Sequence, residues 1–105
     1  MSVWKVANVS PFMQWARLQK EPMRSVVTYE FERMMQSLDG ELQVTVHDAV
    51  YTDYRAGRDA ALCLQKIALR AGFPAAAEFF FNIYEWCCEC IEALLLQETI
   101  QALVS

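Results

Sequence analysis

One histidine, three glycines and three prolines in 105 residues leave little catalytic vocabulary. Gly40, Gly57 and Gly72 stand far apart, so no glycine-rich loop exists to cradle a phosphate. His47 has no second histidine beside it. No third, orienting group marks it as half of a Cys–His nucleophile pair. It reads as an ordinary surface or partly buried side chain. Glu41, Asp48, Asp53 and Asp59 are spaced so that a helix would scatter them around its axis. They lack the Glu-x-x-His pattern of helical di-metal sites and read as a solvated face. The expectation is a non-enzymatic protein without a cofactor.

Clustered positive charge is missing too. The formal net charge is −4 and the pI about 4.9, whereas a direct nucleic-acid binder needs a basic face. Long uncharged apolar runs are also lacking. The most apolar stretch carries Glu78, Asn82, Glu85, Glu89 and Glu92, too many polar groups for a membrane span. The opening M-S-V-W-K-V-A-N-V-S lacks the order of a secretory signal. The expected location is therefore cytoplasmic, with the cysteines as thiols.

Hydrophobic residues are abundant at 55%, while charged residues make up 21%. The first figure lies above the usual globular range and the second slightly below it. The length suits a single helical domain over 1–105. A chain this small cannot hide so much apolar surface in its own core, which points to a partner or a second copy. Charge is uneven as well. Residues 1–40 carry five basic and four acidic groups; residues 41–105 carry four basic and nine acidic.

Along the chain, Ser10-Pro11 reads as an N-cap followed by a first-turn proline, with the helix ending at Glu21-Pro22. Ser25 is the candidate cap of a second helix, with Val27, Phe31, Met34, Met35 and Leu38 on its inner face. A β-hairpin over 25–51 competes with it, because Val27, Tyr29 and Phe31, then Leu42, Val44 and Val46, alternate with polar residues. The helix is preferred because its period continues through Met35 and Leu38. From Glu41 to Arg70, apolar residues recur every three or four positions and predict one long helix. Its small residues Gly57, Ala60 and Ala61 would allow a neighbour to approach closely. Gly72 closes that helix and Pro74 opens the next, so the last two helices form an antiparallel hairpin.

The final helix, Phe73 to Leu103, has a narrow polar stripe of Glu78, Asn82, Glu85, Glu89 and Glu92. It is apolar over most of its remaining surface, wider than a single buried face needs. Three of the four cysteines lie on it. Adjacent Cys87 and Cys88 point about 100° apart, whereas Cys87 and Cys90 share a face. Small buried hydrophobes are the simpler reading of all three; a thiol redox or metal module using Cys87 and Cys90 is the alternative. The methionines and N-terminal aromatics, Trp4, Met13, Trp15, Met34 and Met35, fill a core or line a groove for another helix.

The sequence thus predicts an all-α bundle of three or four helices with a long C-terminal helical hairpin. It predicts a small adaptor, chaperone or inhibitor that binds another protein of unknown identity and forms a dimer or other homo-oligomer. Phe80, Phe81, Tyr84, Cys88, Leu95 and Leu96 are the predicted partner-binding residues. Within the hairpin, Lys66, Arg55 and Arg58 come level with Glu78, Glu89 and the Glu85–Glu89 interval, which suggests a seam of ion pairs.

Overall fold

The computed structural model describes residues 8–39 and 47–104; the side chains of 39 and 47–53 fall outside the description. Among the described residues four helices follow one another: α1 Ser10–Arg17, α2 Met23–Asp39, α3 His47–Ala71 and α4 Pro74–Val104. Among the described residues there is no strand. Helix α3 lies between α2 and α4, and short α1 closes one end against α2 and α4. The molecule is elongated, 54 Å by 25 Å by 22 Å.

The α3–α4 turn is built as its residue types require. Gly72 takes φ +87°, a conformation that carries no steric cost without a Cβ. The Phe73 amide donates to the Ala68 carbonyl at 2.9 Å and the Gly72 amide to Leu69 at 3.2 Å. These two bonds satisfy carbonyls left open at the end of α3, in the pattern of a Schellman cap. Pro74 then starts α4, where a missing N–H costs nothing.

Two predicted caps are displaced. Val9, not Ser10, occupies the N-cap of α1 and makes no side-chain cap bond. Helix α2 begins before Ser25, whose hydroxyl donates instead to the Glu21 carboxylate. Arg24 Nε donates to the same carboxylate at 3.0 Å. The Ser25 hydrogen bond, with Arg24 assisting, holds the Glu21 carboxyl below the usual range. The helix over Met23–Asp39 rules out the first strand of the hairpin alternative; residues 40–46, which would hold the rest of its turn and most of its second strand, lie outside the described residues.

An aromatic cluster holds the closed end. Phe80 of α4 is fully buried. Its ring meets Phe12 of α1 at 5.5 Å, Phe31 of α2 at 6.4 Å and its neighbour Phe79 at 5.6 Å, each edge-on. Phe12 also stacks on Trp15 at 5.7 Å. Val27, Met34, Leu64, Ala68 and Ile83 continue the core towards the middle of the bundle. A smaller cluster, Tyr54 and Ile91 with Trp86, Cys90 and Leu94, extends it along the hairpin.

Small residues set how closely the helices approach. A methyl group on Gly57 would overlap Ser37 Cβ and Oγ on α2 and stand 3.4 Å from Cys87 Sγ on α4. Gly57 is therefore the point where three helices converge. Arg33 adds a polar tie across α2 and α3. It pairs with Glu30 at 3.1 Å, reaches the Ala56 carbonyl at 3.4 Å and lies 5.7 Å from the Tyr29 ring centroid.

Candidate functional site

Helix α4 buries Ala76, Ala77, Phe79, Phe80, Ile83, Cys87 and Ile91. Its polar stripe, Glu78, Asn82, Glu85, Glu89 and Glu92, faces solvent throughout. Arg58, expected level with the Glu85–Glu89 interval, pairs instead with its neighbour Asp59 at 3.1 Å. The expected height register does hold, since Gly57 stands beside Cys87, but apolar residues occupy the shared face.

The outer line of α4 changes chemistry part-way along. Counting three or four residues at a time from Glu78, Asn82, Glu85, Glu89 and Glu92, the same line continues into Leu96, Ile100 and Leu103. These three are 62%, 52% and 81% exposed. Leu95 and Val104 lie beside them, also exposed. A helix face turned to water ordinarily stays polar. From Glu92 to Val104 only Leu94 is even half-buried.

Helix geometry accounts for the exposure of Ile100, Leu103 and Val104. With Gly57 level with Cys87 and the helices antiparallel, His47 at the described start of α3 comes level with Gln97. The last turns of α4 pass beyond it. Helix α4 has 31 residues, including Glu78, Glu85, Glu89, Glu92 and Glu98 and no basic residue, and none caps the negative end of its dipole.

The six residues predicted to bind a partner divide. Leu95 and Leu96 lie on the exposed distal face. Phe81, Tyr84 and Cys88 form a separate flank: Phe81 is 40% exposed, and its ring stacks on Tyr84 at 5.9 Å and 22°. A hydrogen bond with Cys88 is the main cause pushing the Tyr84 hydroxyl above its usual range. Phe80 must be corrected. It is the buried hub of the aromatic core, because α1 and α2 both close over it. Sequence reasoning missed Ile100, Leu103 and Val104, although their spacing from Leu96 was open to inspection.

The cysteines are separately placed. Cys87 is buried against Gly57, and burial, with Cys90 and Cys88 adding, pushes its thiol up to about 12. A thiol so protonated is a poor nucleophile and a poor metal ligand. Cys63 is also pushed up, by burial and the nearby Glu30 carboxylate. Among the described residues, no three His, Cys, Asp or Glu side chains gather as a metal site; the His47 side chain lies outside them. Met34 is fully buried, and Met13, Trp15 and Met35 pack against the same core, while Trp4 lies outside the described residues. Among the described residues, no helix is long and apolar enough to cross a membrane.

The chain matches no protein-family profile, no curated protein and no solved structure.

Proposed function

We propose that this protein is a non-enzymatic interaction module, an adaptor or inhibitor that binds another protein chain through the distal face of α4. The observation carrying this reading is the outer line of α4, where Glu92 gives way to Leu96, Ile100 and Leu103, all more than half exposed. Burying one leucine or isoleucine side chain contributes about 1.5–3 kcal/mol. Several together rival the ~4–15 kcal/mol that association costs in lost freedom. Cys63, Cys87, Cys88 and Cys90 form no disulfide, which fits a reducing, cytoplasmic setting.

A photo-crosslinking amino acid placed at Leu96, and separately at Glu78 on the acidic part of the same line, tests this in the producing cell. The expected result is a discrete protein adduct from position 96 and none from 78. Absence of any adduct from 96 overturns the reading.

A further inference from the structure

The distal face of α4 has a counterpart on the same molecule. At the opposite pole, Trp15, Met23, Ile67, Arg70 and Ala71 line a cleft of about 230 Å³. That is below the ~300–1,000 Å³ usual for small-molecule sites and suits a few apolar side chains. Met23 is 38% exposed, and exposed Leu18, Val26 and Leu69 lie close by in the sequence. Arg70 lines the cleft itself, and the two segments that supply the lining are net basic in sequence: residues 17–24 carry Arg17, Lys20 and Arg24 against Glu21, and residues 66–78 carry Lys66 and Arg70 against Glu78.

Resting on the interaction-module reading, we propose that the partner seated on the α4 tip is a second copy of this chain. The acidic, apolar tip of one molecule docks in the basic, apolar cleft of the next. Two observations select this occupant. Charge is complementary tip to cleft: Glu92 and Glu98 are the only charged residues of the distal turns and no basic residue lies on α4, whereas Arg70 lines the cleft, and a tip-to-tip contact would bring carboxylates together. The molecule cannot satisfy itself, because Trp15 packs on Phe73 at 5.8 Å while Leu96 to Leu103 lie roughly 35–45 Å further along α4. The contact joins two different surfaces. It closes as a reciprocal pair or repeats end to end.

Sedimentation velocity over a micromolar concentration series tests it with three full-length proteins. These are the parent, a tip variant (Leu96→Glu with Leu103→Glu) and a cleft variant (Met23→Glu with Arg70→Glu). All four positions are exposed, and circular dichroism checks that the helices persist; Leu96→Ser and Met23→Ser replace any variant that unfolds. The parent should self-associate, and each variant should associate about tenfold or more weakly. Mixing the two variants should restore a 1:1 complex, because one intact tip then meets one intact cleft. A parent that stays monomeric overturns the proposal, as does a cleft variant that assembles like the parent or a mixture that gives no complex. A monomeric parent that crosslinks to a different protein from position 96 would end this inference and leave the interaction-module reading standing.

Discussion

Gly57 of α3 and Ser37 of α2 meet so closely that a Cβ on the glycine would occupy the space of the serine side chain. The contact fixes the distance between the two helices. Ser37 is itself buried, 1% exposed, and its hydroxyl donates to the Arg33 carbonyl at 3.3 Å.

Gly57→Ala should therefore destabilise, although alanine is the better helix former by ~1 kcal/mol. Overpacking costs about 1–3 kcal/mol, so a net loss of about 1 kcal/mol or more is expected in urea unfolding. Adding Ser37→Gly removes the overlapping atoms and should recover more than half of that loss. If the two losses simply add, helix spacing is not set at this contact.

Arg33 should resist its usual substitute. Its planar guanidinium serves Glu30, the Ala56 carbonyl and the Tyr29 ring at once. A lysine ammonium cannot reproduce that fork and stack. Arg33→Lys should cost about 1–2 kcal/mol, the sum of one modest ion pair and one hydrogen bond. An unchanged unfolding midpoint would show that the tie contributes nothing.

Cys87 predicts an alkaline effect. Its folded thiol is held up to about 12, against an ordinary value of 9.0. Above pH 9 the unfolded chain releases this proton while the folded chain keeps it. Stability from this group is thus complete below pH 9 and declines as pH rises towards 12. Between pH 8 and 10.5, parent stability should fall more steeply than that of Cys87→Ala. In the native protein at pH 8, Cys87 should also react with a thiol reagent only after unfolding, with half-buried Cys88 and Cys90 modified first. Parallel pH profiles for parent and variant would contradict the burial argument.

Local chemistry made much of this fold readable in advance. Gly72 and Pro74 dictate the hairpin because their backbone limits act whatever surrounds them. The antiparallel register followed from counting, as the Gly57–Cys87 contact shows. Rotation about the helix axis was not readable. Phe79, Phe80 and Phe81 are chemically equal, and only the arrival of Phe12 and Phe31 decides that Phe80 turns inward and Phe81 outward. For the same reason Arg58 reached the right height and yet pairs with Asp59 rather than with the acidic line. Of the candidate site, Leu95 and Leu96 were found through the unusually wide apolar arc of α4. Ile100, Leu103 and Val104 were missed because exposure there depends on where α3 starts, a property of two helices together.

The division of α4 into a buried part and an exposed part gives the last prediction. Ile83 is fully buried, beside Cys87 and Phe80 in the main core, whereas Leu96 and Leu103 are 62% and 81% exposed. Ile83→Ala should cost about 2–5 kcal/mol through lost burial and the cavity left behind. Leu96→Ala and Leu103→Ala should each stay within about 0.5 kcal/mol of the parent when unfolding is followed on dilute protein. At higher concentration the comparison changes, because any association through the tip stabilises the folded state by mass action. The parent midpoint should then rise with protein concentration while the two leucine variants show a smaller rise. Equal losses at Ile83 and Leu96 in dilute solution would mean that the distal turns belong to the monomer's own core, and the division would fail.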